Sequence, residues 1–188
     1  MGKGGDFERE VSKTFTKWLT GLEKPYKYWR MPGSGGLATI HEECSTLSGD
    51  IRALSSDAEF LTDCFSIECK TGYPGTSFWQ HFKNIKTFHI KAFWQQCLND
   101  AYKGGKRPML IYRKKGKQII LGICKPDKII METLSDLLAA TPSITMRFGL
   151  EEMPEITFYD FQDFIQAVSP DIIRKFIEEL NEKKVLAV

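Results

Sequence analysis

The strongest constraint on how this chain folds is a change of hydrophobic period between residues 64 and 124. Residues 64–70, 108–112 and 118–124 are apolar, strand-like runs bounded by turn-forming or charged residues. Between the first two, residues 87–103 carry a helical pattern that stops at Gly104-Gly105, a common helix C-terminal signal. The last two runs face each other across the basic turn 113–117. Extended and helical patterns interleaved in this way require a sheet covered by helices, so the class is mixed α/β.

The flanks extend the same reading. Phe7, Val11, Phe15, Trp18, Leu19 and Leu22 fall at helical spacing and predict an amphipathic helix over 5–22. A strand over 26–31 is broken by the PGSGG turn at 32–36, and residues 37–48 form an irregular insert. Residues 49–54 and 64–70 read as a hairpin with a long polar connection, followed by a loop at 71–77. Downstream, a helix is expected over 127–140, strands over 144–148 and 156–159, and helices over 160–168 and 170–183. With 188 residues the chain fits one domain, divided here into a core at 1–125 and a C-terminal α/β extension at 126–188 packed on it.

A hydrophobic content of 42% supports a sizeable core and excludes global disorder. No apolar run approaches the roughly 20 residues that span a bilayer, and the charged opening MGKGGDFERE lacks the apolar stretch of a signal peptide. A cytoplasmic protein without a membrane partner is expected. The five cysteines, an odd number with no CxxC pair, argue for reduced thiols rather than a disulfide framework. His41 and Cys44 could open a zinc site, but no second pair of ligands follows at suitable spacing.

The net charge of +2 conceals a strong segregation. Residues 1–69 carry −3 and residues 126–188 carry −6, whereas residues 70–125 carry +11 with Asp100 as their single acid. Within that basic block lie Trp79, Phe82, Phe88, Phe93, Trp94 and Tyr102. Lys and Arg neutralise phosphates, and aromatic rings pack on sugars or unstacked bases, so the block suits a polyanion. A solvated basic face over an aromatic core is the competing reading.

The chemistry-bearing pattern is Gly49-Asp50 followed by Ile67-Glu68-Cys69-Lys70. On a strand Glu68 and Lys70 share a face while Cys69 turns away, leaving its carbonyl available near the strand edge. Two carboxylates and an ammonium group then meet at one end of a sheet. Mg²⁺ needs only one or two carboxylates beside a phosphate. Once bound, it polarises the scissile phosphate and lowers the pKa of a water. Read without that context, Asp50 is a turn residue and Glu68–Lys70 a same-face ion pair.

In order along the chain stand Glu8 in the first helix, Arg30-Met-Pro-Gly-Ser34-Gly-Gly, Gly49-Asp50 and Ile67-Glu68-Cys69-Lys70. This set, over roughly residues 3–113, resembles the PD-(D/E)xK nuclease superfamily, in particular archaeal-type Holliday junction resolvases and related phage nucleases. The resemblance implies a restriction-endonuclease-like core, a central mixed β-sheet flanked by helices, with a C-terminal helical addition. It further implies that Asp50, Glu68 and the Cys69 carbonyl bind Mg²⁺, for which Mn²⁺ can substitute, and that Lys70 serves the attacking water. Glu8 would complete the acidic site through metal or water; Glu10, about 200° around the helix from it, cannot share that face. Ser34 would lie near the substrate phosphate, with Gly35 letting the backbone approach DNA and Arg30 binding a phosphate. Phe93-Trp94-Gln95-Gln96 is similar to a W-x-Q pattern of these nucleases, with Gln96 near a phosphate or metal-bound water and Trp94 in the core.

Lys103, Lys106, Arg107, Arg113, Lys114, Lys115 and Lys117 are the expected phosphate-tracking residues. The implied activity is a Mg²⁺-dependent DNA endonuclease, acting as a homodimer on branched DNA in recombination or repair, in a host cytoplasm if phage-encoded. Cutting of linear or flap DNA and a non-catalytic DNA-binding module are the alternatives. Two departures stand out: Gly49 replaces the usual proline before the aspartate, and the insert before Gly49 is long.

Overall fold

The computed structural model describes residues 3–31, 48–73, 76, 89–114, 116–124, 138, 141–148 and 153–186. Helix α1 (Lys3–Thr20) forms on the expected apolar stripe, with Phe7, Val11 and Phe15 all buried. Gly21, at φ +72°, closes it by donating its N–H to the Lys17 carbonyl at 2.8 Å. The buried side of α1 also carries Ser12 and Thr16, whose hydroxyls donate to the carbonyls of Glu8 and Ser12. Thr16 Oγ1 in turn accepts the backbone N–H groups of Lys27 (3.1 Å) and Tyr28 (3.3 Å), tying the next strand to the helix.

That strand, β1 (Tyr28–Arg30), pairs antiparallel with β2 (Ile51–Ala53), Trp29 lying opposite Arg52. The hairpin expected between 49–54 and 64–70 is not formed. A 3₁₀ turn (Ser56–Ala58) and a short helix α2 (Glu59–Cys64) occupy the connection, and β2 takes β1 as its partner. The reason is local: the segment looks polar, yet it buries Ala58, Leu61 and Thr62. Phe60 packs at 6.2 Å from the Trp18 ring, which anchors the same turn of helix.

Strand β3 (Phe65–Thr71) runs parallel to β4 (Arg107–Arg113), and helix α3 (His89–Lys103) makes the crossover. Strand β5 (Ile119–Cys124) returns antiparallel from β4 as a hairpin. The sheet is completed by β6 (Ser143–Met146) and β7 (Ile156–Asp160), in the order β3-β4-β5-β7-β6. Asp160 caps α4 (Phe161–Ala167) by accepting the N–H groups of Gln162 (2.9 Å) and Asp163 (3.2 Å). Helix α5 (Pro170–Leu186) follows. The expected strand at 144–148 therefore ends two residues early, and Cys64 belongs to a helix rather than to β3.

Alternation along the strands divides the core into two layers. Ile67, Cys69, Met109, Ile111, Leu121 and Ile123 pack with Phe7, Phe15, Leu61, Phe161 and Phe176 of α1, α2, α4 and α5. Leu110, Tyr112, Ile156 and Phe158 pack with Ile90, Phe93, Trp94 and Leu98 of α3 on the other face. Trp94 is fully buried and donates Nε1–H to the Pro154 carbonyl at 3.0 Å, so it is a core residue. The result is an α/β fold, a five-stranded mixed sheet between helices with further helices at the C-terminus, consistent with a restriction-endonuclease-like core. No described helix is long and apolar enough to cross a membrane. Among the described residues, Cys64, Cys69, Cys97 and Cys124 are not disulfide-bonded. The PGSGG turn, His41, Cys44 and all of the 127–140 segment except Leu138 lie outside the described residues.

Thr16 is the test of the α1–β1 junction. Thr16→Val keeps the side chain's shape but strands the buried Tyr28 N–H, and should cost about 1–3 kcal/mol. Urea denaturation of the two proteins measures this directly; an unshifted midpoint would show that the hydroxyl is dispensable.

Candidate active site

The site is built on the outer edge of β3. Gly49 sits at φ +99°, and a Cβ there would lie 2.8 Å from the Ile67 nitrogen and 3.1 Å from its carbonyl oxygen. Only glycine fits so close to the strand at that sign of φ. Proline, fixed near φ −65°, is excluded, which explains the departure from the usual Pro-Asp pair. The next residue is then locked onto β3 by its backbone and its side chain. Asp50 N–H donates to the Ile67 carbonyl (2.7 Å), its own carbonyl accepts Met31 N–H (2.7 Å), and Oδ2 accepts Cys69 N–H (2.8 Å). Asp50 is 7% exposed.

Because N–H and C=O of one strand residue point the same way, the Cys69 carbonyl faces the edge that holds Asp50. Cys69's side chain points into the α1 layer, and its thiol is pushed well up by burial and by the charges of Asp50, Glu68 and Glu8. The two neighbours of Cys69 face the other way. Lys70 Nζ lies 2.5 Å from Glu68 Oε1, and Gln96 Nε2 of α3 donates to the same oxygen at 3.0 Å. The alternation expected from sequence thus places Glu68 and Lys70 together, and the helix after β3 delivers Gln96 to them.

Glu68 is 5% exposed and its carboxyl is pushed up to about 7, first by burial and then by the negative charge of Asp50, against the opposing pull of Lys70. Burial alone would lower Lys70; the charge and hydrogen bond of Glu68, with Asp50 beyond, outweigh it and leave the ammonium group raised. Lys70 Nζ also lies 6.0 Å from the centre of the Phe93 ring. Two buried carboxylates that repel each other, with a backbone carbonyl alongside, form an all-oxygen donor set. That set suits Mg²⁺, which keeps several waters and takes few protein ligands. Among the described residues no group of three or more His, Cys, Asp or Glu side chains could hold a metal ion.

Glu8 and Glu10 diverge as the helix geometry requires. Glu8 Oε2 accepts from Arg30 Nε at 2.8 Å, and the guanidinium lies against Gly5, where a Cβ would stand 3.4 Å from it. Glu8 and Arg30 are therefore each other's partners, close enough for Glu8's charge to be felt at Cys69. Glu10 instead meets Arg113: Nη1 donates to both carboxylate oxygens at 2.7 Å while the guanidinium lies 4.6 Å from the Phe7 ring centre. This clamp joins α1 to the end of β4, and the 103-residue separation of its partners hides it from sequence patterns.

The basic block 103–117 is not one surface. Strand β4 divides it, because Lys103, Lys106 and Arg107 lie before or at its start while Arg113, Lys114 and Lys117 lie at or after its end. Seven strand residues separate those ends by about 20 Å. Parallel pairing sets Lys70 opposite Tyr112 and Thr71 opposite Arg113, so the second group shares the Glu68–Lys70 end. At the far end Arg107 lies 5.5 Å from the Phe176 ring centre and lines a cavity of about 300 Å³ with Phe60, Asp63, Cys64, Ile177 and Leu180. Ser34, Gly35 and Lys115 lie outside the described residues. Sequence reasoning missed Tyr73 and His89, which pack on Phe93 beside Lys70; an aromatic directly after the strand was the available signal.

The fold, with Asp50, Glu68 and Lys70 at one edge of its sheet, is consistent with the PD-(D/E)xK class. The chain belongs to the family described as "Phage putative PDDEXK endonuclease", whose sequence profile matches residues 1–175. It is also similar to Protein D14 of Escherichia phage T5, at 24% identity over 135 residues, covering 71% of this chain and 75% of that one. No solved structure gives a significant match.

The raised Glu68 carboxyl has a measurable consequence. The unfolded chain releases this proton near 4.5 and the folded one near 7, so between those values the native state binds more protons and stability falls as pH rises. Glu68→Gln removes that loss. Its stability relative to the parent protein should climb between pH 5 and pH 7, by up to about 1.4 kcal/mol per pH unit. Urea melts of both metal-free proteins across that range read the difference; a flat one would show that Glu68 titrates normally.

Proposed function

We propose that this protein is a Mg²⁺-dependent DNA endonuclease that cuts branched DNA of the Holliday-junction kind, acting in the host cytoplasm during phage recombination or repair. The observation that supports it most is the convergence on one strand edge of Asp50, the Cys69 carbonyl, Glu68 and Lys70. In this reading Asp50, Glu68 and the Cys69 carbonyl hold the cation, Mn²⁺ serving in its place. When bound, the metal supplies Lewis acidity at the scissile phosphate and a water of lowered pKa.

The chain's own groups do the rest. Lys70, kept protonated beside Glu68, orients the attacking water or offsets charge on the phosphate oxygens. Gln96 holds Glu68 Oε1 in place from α3 and lies within reach of the same water. Glu8, held by Arg30, brings a further carboxylate to the edge of the site. Lys114 and Lys117 join Arg30 in tracking phosphates near the cleavage point, with Lys103, Lys106 and Arg107 available to a longer duplex. Ser34 and Gly35 are assigned to DNA contact from the family pattern, and Lys115 from the charge of the basic block. Residues 126–188 are read as an extension packed on the 1–125 core, since β6, β7, α4 and α5 add strands and buried aromatics to it.

A four-way junction presents two strands to be cut at related positions, so a two-fold homodimer is the economical assembly. Cleavage of linear or flap DNA by the same core is the second reading. A purely DNA-binding role is disfavoured because Asp50, Glu68 and Lys70 are all present and assembled.

Purified protein incubated with four-way junctions and matched linear duplexes, with and without Mg²⁺, decides among these. Preferential junction cutting supports the resolvase; equal cutting leaves only the nuclease; none in either leaves only binding. Asp50→Asn and Glu68→Gln should each lower the Mg²⁺-dependent rate by about 100-fold or more, since metal polarisation contributes several kcal/mol. DNA affinity measured alongside should hold, because most phosphate contacts lie elsewhere. Full activity in both variants would remove the assignment.

Lys114→Ala with Lys117→Ala should weaken binding to every sequence and flatten the plot of log affinity against log salt by about 0.9 per lost phosphate contact. Anisotropy titrations at several salt concentrations measure that slope; an unchanged value would mark both lysines as solvated surface.

A further inference from the structure

Tyr73 is one of a small set of large apolar side chains that remain exposed, at 38%. It differs from the others in its position. Strand β3 ends at Thr71, Gly72 turns the chain at φ +89°, and Tyr73 folds back over α3. Its ring centre lies 4.7 Å from that of Phe93 and 5.4 Å from that of His89. His89 and Phe93 are themselves stacked, with centres 5.9 Å apart and planes 18° from parallel. The Tyr73 carbonyl accepts Thr76 N–H at 3.2 Å. Lys70 rests on the same Phe93 ring, so Tyr73 and the Glu68–Lys70 pair share one support.

A ring held in place from behind binds a planar partner with little further loss of freedom. Paired duplex keeps its bases inside and offers this position only sugar and phosphate. A base that has left its stack offers a face, and base–aromatic stacking tolerates any sequence.

We infer that Tyr73 is a stacking platform for an unpaired base beside the scissile phosphate, so that the protein selects DNA carrying an unstacked nucleotide at the cleavage point. The inference rests on the nuclease reading and adds the feature of the substrate that is recognised. It involves none of the groups assigned to the metal or the attacking water. A flap base and a bulge present such a nucleotide, and a junction, though fully paired, breaks the stack at its exchange point; continuous duplex does neither.

The test uses the parent protein, Tyr73→Phe and Tyr73→Ala with three labelled duplexes of one sequence. One is fully paired, one has a single unpaired nucleotide, and one has that nucleotide made abasic. Affinity is measured by anisotropy in EDTA, and cleavage is measured separately with Mg²⁺. The parent should prefer the unpaired over the paired duplex, and Tyr73→Ala should reduce that ratio by about fivefold or more, the lower range of base–aromatic stacking. Tyr73→Phe should keep the ratio, and the abasic duplex should behave like the paired one. An unchanged ratio in Tyr73→Ala, an equal loss in both variants, or an abasic site bound as well as the base would each overturn the inference. Absence of cleavage in all proteins would instead count against the nuclease reading, while the EDTA affinities still judge the stacking.

Discussion

The site depends on the fit of the Gly49-Asp50 backbone against the edge of β3. That contact fixes Asp50 by three short hydrogen bonds, one of them from the amide between Glu68 and the thiol-bearing residue. A carboxylate held this way has lost its rotamer freedom to the fold, so its orientation is set before any substrate arrives. The β1–β2 ribbon exists to deliver it. The ribbon in turn is tied to α1 by the Thr16 hydroxyl, the Arg30–Glu8 pair and the packing of Tyr28 on Phe15, which makes the first helix part of the same support.

Around this anchor the charges are balanced rather than neutral. Glu68 is buried next to another carboxylate, a cost that Lys70 and Gln96 offset only in part. Such a site favours a proton, and in the proposed reading a cation competes with it for the same carboxylates. The fold tolerates the strain because a broad two-sided core surrounds it, with aromatic residues of both terminal regions packed into one layer.

Local features were readable in the sequence and non-local ones were not. The α1 stripe, the α3 helix and its glycine stop, and the shared face of Glu68 and Lys70 all follow from period alone. The meeting of Asp50 with β3 is expected from sequence through a hairpin; the structure makes it by another route, a backbone bond from Asp50 to Ile67 while β2 pairs with β1. Residues 55–63 misled because their polar side chains face solvent while Ala58 and Leu61 are buried, so a short helix resembled a loop. The strand through the basic stretch is expected over 108–112, but treating 103–117 as one phosphate-tracking block overlooks that the strand's length sets the two ends about 20 Å apart. Arg30 and Arg113 look like free cations until tertiary structure pairs them with Glu8 and Glu10.

The left-handed glycine bears on how nucleases of this kind are recognised from letters alone. A search pattern that insists on the imino acid ahead of the aspartate would pass this chain over, although its carboxylate stands on the same strand edge. Proline, fixed near φ −65°, cannot take the positive φ that Gly49 holds here. Placing it ahead of Asp50 would thus demand a change of route for the chain, not of a single letter.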